Sequence, residues 1–153
     1  MTTLKTAIAV LFVTVAPAFA QDSDVTGDAE KGAKVFKKCQ SCHVVTDPDG
    51  NVLAGKKSKT GPNLYGIAAR AAGSVEGFKY GKSLLAAGEA GLVWDQESFA
   101  SFVQDPKKFL QTYLGDKKAK SKMTLKLRKE KEALDVYALL ASLAPADDAE
   151  VSE

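Results

Sequence analysis

The apolar residues of this chain recur mostly at helical spacing, and no long segment shows the strict alternation of a half-buried strand. After Asp95, for example, Phe99, Phe102 and Val103 follow the i, i+3, i+4 spacing of a helix face that packs against a core. Five helices are predicted: Asp28 to about Gln40, Lys82 to Ala87, Asp95 to the Asp105-Pro106 stop, Pro106 to Gly115, and Arg128 to Leu143. Val44 to Lys59 is predicted to be a loop, and no strand, repeat or phosphate-binding glycine loop is predicted. The pattern therefore predicts an all-α protein.

The first predicted helix contains a glycine on its inner face. Asp28 is a suitable N-cap, and Glu30 places negative charge in the first turn. The inner face should carry Ala29, Gly32, Ala33 and Phe36. Because glycine costs helix stability, Gly32 indicates that another backbone approaches closely at this point.

The N-terminal residues have the pattern of an export signal. Lys5 precedes an apolar run from Ala7 to Val15, and Pro17 and Ala18-Phe19-Ala20 follow before the chain turns polar. The run is shorter than the roughly 20 residues that cross a bilayer. We therefore predict a signal peptide at residues 1–20, cleaved after Ala20, and a bacterial periplasmic location. Residues 21–153 are predicted to form one domain with an acidic tail from about 145.

The balance of charge argues against nucleic acid as a partner. The chain has 21 basic and 19 acidic residues, and no stripe of aromatic residues accompanies the lysines. The lysines nevertheless form two clusters, which are Lys56, Lys57 and Lys59, and then Lys107, Lys108, Lys117, Lys118, Lys120, Lys122 and Lys126. These clusters are either an ordinary solvated face or a surface that steers the protein to acidic partners.

The strongest chemical signal is the pentapeptide Cys39-Gln40-Ser41-Cys42-His43, which contains both cysteines and the only histidine. A C-x-x-C pair also occurs by chance, in thioredoxin-like redox motifs and in zinc sites. A zinc site needs about four nitrogen or sulfur ligands, which this chain lacks, and a redox motif would lie in a strand–helix–strand pattern. The segment therefore predicts covalent haem attachment through Cys39 and Cys42, with His43 directed at the iron.

A second motif follows as Thr60-Gly61-Pro62-Asn63-Leu64-Tyr65-Gly66. Pro62 has no backbone N–H, but its carbonyl oxygen can accept a hydrogen bond. An axial histidine needs such an acceptor on its other ring nitrogen. By itself the motif indicates only a turn.

Taken in order, the motifs resemble those of class I c-type cytochromes, in particular the bacterial cytochrome c2 and c-550 proteins. The resemblance extends from about Gly27 to Leu143 and rests on the two motifs above, Arg70, Gly77-Phe78-Lys79-Tyr80, Trp94, Asp105-Pro106-Lys107-Lys108-Phe109 and Lys122-Met123. It implies that the N- and C-terminal helices cross around one covalently bound haem c. It also implies that Pro62 orients the axial histidine, and that Tyr80, Trp94 and Arg70 contact the haem propionates.

The second axial ligand is predicted to be Met123. Met1 leaves with the signal peptide, and Met123 lies in a polar segment before the last helix, where the family places its ligand. The alternative role for a single methionine is to fill a gap in the core. Two departures from the family are visible: Phe102 often corresponds to tyrosine, and the segment between Phe109 and Met123 is longer than in the short mitochondrial members.

The resemblance implies a monomeric, soluble one-electron carrier rather than an enzyme. Its partners would be a bc1-type donor and either a terminal oxidase or a photosynthetic reaction centre, approached through a lysine-rich face at the haem edge. The alternative is a haem enzyme or gas sensor with an open sixth coordination position. That alternative requires Met123 to lie away from the iron, and the chain has no second histidine for a distal role.

Overall fold

The structure is a computed structural model that describes residues 25–144. The predicted signal peptide at residues 1–20 and the acidic tail from about 145 lie outside the described residues. All five predicted helices are present: α1 (Ala29–Phe36), α2 (Lys82–Glu89), α3 (Gln96–Gln104), α4 (Pro106–Tyr113) and α5 (Glu130–Leu143). No helix within residues 25–144 is long and apolar enough to cross a membrane.

The helix α1 packs against α5 through its glycine. A Cβ at Gly32 would collide with the carbonyl oxygen of Asp135, so the predicted close approach of two backbones is confirmed. Asp28 caps α1 by accepting a hydrogen bond from the amide of Lys31 over 3.0 Å. Phe36 is buried, whereas Ala33 is exposed and its predicted place on the inner face was wrong. An α-helix can bury only one stripe against a single neighbour, and Gly32 occupies that stripe.

The prediction that α1 continues to about Gln40 was wrong, because the helix ends at Phe36. Tight turns follow it. The amide of Cys39 donates to the carbonyl of Phe36 over 2.8 Å, and the amide of His43 donates to the carbonyl of Cys39 over 3.0 Å. Short-range bonds of this kind tighten the chain after a helix and hold the pentapeptide in a compact form.

The prediction of a structureless loop from Val44 to Lys59 was also wrong in part. A short antiparallel hairpin pairs β1 (Val44–Thr46) with β2 (Val52–Gly55). The turn between the strands is closed by Asp47, whose side chain accepts from the amide of Asn51 over 2.7 Å. In β2 both Val52 and Leu53 are exposed, so this strand has no alternation from which it could have been predicted.

An aromatic cluster joins the later helices beside the central cavity. The rings of Trp94 and Phe102 lie 5.0 Å apart, and those of Phe99 and Tyr137 lie 5.5 Å apart. These distances fit the tilted pairs that aromatic rings prefer. The pair of Phe99 and Tyr137 connects α3 to α5, and Trp94, Phe99 and Phe102 line the cavity.

Candidate functional site

A single cavity of about 640 Å³ contains all the predicted site residues in its lining. They are Cys39, Cys42, His43, Pro62, Arg70, Tyr80, Trp94 and Met123. Most of the surface around them is apolar, from residues that include Leu64, Ile67, Leu84, Phe99, Val103 and Val136. A cavity of this size, with mainly apolar walls and a few polar groups, is typical of a cofactor site.

The two cysteines differ in exposure. Cys39 is buried and Cys42 is partly exposed, and no disulfide joins them. Burial raises the pKa of the Cys39 thiol to about 11, so in this closed fold the thiol is protonated at neutral pH. The nucleophilic form of cysteine is the thiolate, which burial disfavours at Cys39.

His43 is held by the carbonyl of Pro62. The distance from Nδ1 to the Pro62 oxygen is 3.0 Å. A carbonyl can only accept, so Nδ1 carries the proton and Nε2 keeps its lone pair. Burial lowers the pKa of His43, which keeps the imidazole neutral near pH 7.

Gly61 is a site residue that the sequence analysis did not single out. A Cβ there would lie 2.6 Å from Nδ1 of His43 and 2.9 Å from Nε2, which is too close for any real contact. The imidazole therefore stacks directly on the backbone at Gly61. The threonine–glycine–proline motif contained this signal, but only the proline was assigned a role.

Arg70 lies at the cavity but binds the protein backbone. Its guanidinium donates to the carbonyl of Tyr65 over 2.5 Å and to that of Asn63 over 3.1 Å. Burial lowers the pKa of Arg70. Both accepting carbonyls belong to the loop that also contains Pro62, so Arg70 supports the loop that orients His43. The predicted contact with a propionate stays a prediction.

Tyr80 and Trp94 also line the cavity. Burial raises the pKa of the Tyr80 hydroxyl, which keeps it protonated and able to donate a hydrogen bond. Trp94 is buried, and its carbonyl accepts from the amide of Ala69 over 2.9 Å. Their contacts with propionates stay predictions.

Met123 lies in a loop that is fixed at several points. The amide of Met123 donates to the hydroxyl of Ser121 over 3.1 Å, and Lys122 Nζ donates to the carbonyl of Lys79 over 2.7 Å. Further along, the amide of Leu127 donates to the carbonyl of Val103 over 2.8 Å. The thioether of Met123 packs against the core as well as lining the cavity.

The lysines around the cavity are only partly those of the two predicted clusters. Those that line it are Lys38, Lys59, Lys79, Lys120 and Lys122. Lys38 forms an ion pair with Glu132 at 2.7 Å. Lys107 and Lys108 lie on α4 and do not line the cavity.

The residues present fit a covalently bound haem. Two thiols, a neutral imidazole with a free Nε2, and a thioether all border one largely apolar cavity. Among residues 25–144, no group of three or more histidine, cysteine or acidic side chains could hold a metal ion in another way. Soft sulfur and imidazole donors suit haem iron.

Known proteins share this architecture and much of the sequence. Cytochrome c2 of Rhodovulum adriaticum is 55% identical over 120 residues, which is 78% of this chain and 95% of that protein. The chain belongs to the cytochrome c2 group of class I c-type cytochromes. Cytochrome c-550 of Paracoccus versutus is 46% identical over 138 residues, or 89% of this chain and 85% of that protein. The crystal structure of cytochrome c2 from Rhodobacter sphaeroides superposes with a TM-score of 0.75 at 53% identity, covering 77% of this chain and 97% of that one. No protein-family model matches the chain.

As a c2-type cytochrome, the chain has the predicted class I fold and carries one covalently attached haem c. It is an electron-transfer protein and not an enzyme. The predictions of fold class, family and cofactor are therefore confirmed.

Proposed function

We propose that this cytochrome is a soluble, periplasmic one-electron carrier whose haem is attached through Cys39 and Cys42 and whose iron is held by His43 and Met123. The observation that supports this most directly is the cavity itself. It brings together both thiols, the only histidine and the only methionine outside the predicted signal peptide.

The protein side of the mechanism consists of fixing ligands and excluding water. The Pro62 carbonyl holds the tautomer of His43 that leaves Nε2 available, and the stacked backbone at Gly61 holds the ring plane. A thioether as the second ligand favours the ferrous state and raises the reduction potential. A haem held by these residues would supply the reversible one-electron redox chemistry. Because His43 and Met123 are both held in place by the protein, oxidation and reduction of a haem bound between them would require little movement of these side chains.

We also propose a role for three polar side chains of the cavity wall. Tyr80, Trp94 and Arg70 would face the propionates of a haem that is anchored at Cys39 and Cys42. The positive charge of Arg70 would partly neutralise the propionates. Its guanidinium would at the same time keep its hydrogen bonds to the Asn63 and Tyr65 carbonyls.

The partners that fit this carrier are membrane redox complexes with acidic docking surfaces. We propose a bc1-type donor and, as acceptor, a terminal oxidase or a photosynthetic reaction centre. Lys59, Lys79 and Lys120 line the cavity and form no ion pair within residues 25–144, so their charge is available to steer docking.

Replacing Met123 by alanine tests the axial assignment. The haem should stay covalently attached because both cysteines remain. We expect the ferric protein to lose its weak far-red sulfur-to-iron absorption band, the potential to fall, and the ferrous protein to bind carbon monoxide.

Leu125→Ala is the matched control, since Leu125 lines the same cavity from the same loop. That variant should keep the band and exclude carbon monoxide. If wild-type ferric protein lacks the band, the alternative of an open sixth position is favoured over the carrier. If Met123→Ala keeps the band, Met123 is not the axial ligand.

A further inference from the structure

Two segments of the chain meet beside Met123. The ligand loop, Lys120–Thr124, carries the proposed axial thioether, and the support segment, Lys79–Ser83, leads into and begins α2. The amide of Lys120 donates to Oγ of Ser83 over 3.0 Å. The stem of Lys122 lies over Gly81, where an added Cβ would be 3.4 Å from its Cγ.

We propose that Ser83 is a positioning residue for the axial ligand Met123. Its hydroxyl accepts a hydrogen bond from the Lys120 amide and so anchors the ligand loop to the first turn of α2. The proposal rests on the proposed function, because the position of this loop affects the iron only if Met123 is an axial ligand. Ser83 itself does not line the cavity.

The surroundings show why a neutral acceptor is useful here. An open cleft of about 440 Å³ between the two segments is lined by Lys82, Lys118, Lys120 and Lys122, with no acidic residue in its lining. Like charges that face each other across a cleft favour its opening. A serine hydroxyl binds a backbone amide without adding charge, and the α2 backbone holds that hydroxyl in place.

The ligand loop has few other tethers to the support segment. Within residues 25–144, the two segments are joined by one hydrogen bond from the Lys120 amide to Ser83 and one from Lys122 Nζ to the Lys79 carbonyl. The second depends on a long, exposed side chain, which must lose conformational freedom to hold its position. The short Ser83 side chain loses much less, so we assign the main tether to Ser83.

The test is the binding of free imidazole to ferric protein, which requires Met123 to leave the iron. The apparent affinity for imidazole is proportional to the fraction of molecules with an open loop. Losing one hydrogen bond should raise that fraction, and hence the affinity, about fivefold in Ser83→Ala. Ser83→Thr keeps the hydroxyl and should restore affinity to within about twofold of wild type.

Ser142→Ala is the matched control, since it also removes a serine hydroxyl bond, here to the carbonyl of Leu139 in α5. It should leave imidazole affinity unchanged even if it lowers global stability. Equal affinities for wild type and Ser83→Ala, or equal increases in Ser83→Ala and Ser142→Ala, would overturn the proposal.

The failure of this inference can be distinguished from failure of the axial assignment. If Met123→Ala loses the far-red band while Ser83→Ala binds imidazole like wild type, the axial assignment of Met123 holds and the positioning role of Ser83 is wrong. If Met123→Ala keeps the band, the axial assignment has failed, and any change in Ser83→Ala has another cause.

Discussion

Gly61 illustrates how one backbone position can control a ligand. Its lack of a side chain lets the chain lie directly against the imidazole of His43, while the next residue, Pro62, supplies the acceptor for Nδ1. We expect Gly61→Ala to force the ring and the loop apart and to lower the free energy of unfolding by about 2 kcal/mol, as overpacking typically does. Urea denaturation of the haem-bound protein measures this.

The control for that substitution is Gly81→Ala. A Cβ at Gly81 would meet only the flexible side chain of Lys122, at 3.4 Å or more. It should therefore cost much less stability than Gly61→Ala. Equal losses in the two variants would show that the close contact with the imidazole carries no special penalty.

Single residues of the site were predictable to different degrees. Cys39, Cys42 and His43 could be proposed as site residues from the sequence because haem attachment depends on a local spacing. Ser83 could not, because its importance arises from a contact with Lys120, 37 residues away, and no local pattern marks it. The Arg70 contacts could not be predicted from the sequence for a related reason. Its acceptors are backbone carbonyls, which every residue has.

Among the elements, α1, α3 and α4 were predictable because each has a capping residue, whereas α2 and α5 have no side-chain cap and were predictable from the glycines that end α2 and the apolar stripe of α5. Asp28, Asp95 and Asp105 each cap a helix as the sequence indicates. The hairpin was missed because its strands have three and four residues, too few to establish a period. The end of α1 was misplaced because the turns after Phe36 continue with short-range hydrogen bonds and resemble a helix in sequence.

The junction between α3 and α4 is also tied to the segment that follows Met123. Asp105 caps α4 at the amide of Lys108, and its other oxygen forms an ion pair with Lys126 at 2.7 Å. The hydrogen bond with Lys126 is the main reason that the pKa of Asp105 is lowered. Because the folded-state pKa lies below the unfolded value, the carboxylate stabilises the fold above the unfolded pKa of about 3.9. That contribution is lost as the pH falls through the lowered folded-state pKa.

Asp105→Asn separates this charge from the cap, since asparagine caps helices as well as aspartate does. We expect the variant to be modestly less stable than wild type at pH 7, with a difference that shrinks below about pH 4. Urea unfolding of both proteins at pH 7 and at pH 3 measures it. The control is Asp49→Asn at the exposed hairpin turn, which should change the free energy of unfolding very little at pH 7. A difference between wild type and Asp105→Asn that is the same at both pH values would contradict the role of the charge.

For the whole molecule, the distribution of charge matters more than its sum. The net charge is only +2, yet five lysines line the cavity. Lys38 is paired with Glu132 and Lys122 is bound to a backbone carbonyl, so their ammonium groups are held by the protein itself. The sequence revealed lysine clusters but could not show which lysines face the cavity, because that depends on how the loops fold over it.

The position of this charge can be measured with small redox reagents of opposite charge. Oxidation of the ferrous protein by anionic hexacyanoferrate(III) should slow as salt rises, because screening acts over roughly 8 Å at physiological ionic strength. Oxidation by cationic tris(phenanthroline)cobalt(III) should instead become faster. At low salt, Lys79→Ala should slow oxidation by the anionic reagent about twofold and leave the reduction potential almost unchanged.

Lys34→Ala on α1 is the control and should have little effect, because Lys34 is exposed and does not line the cavity. If Lys107→Ala and Lys108→Ala slow the anionic reagent more than Lys79→Ala, electrons leave nearer α4 than the cavity-lining lysines.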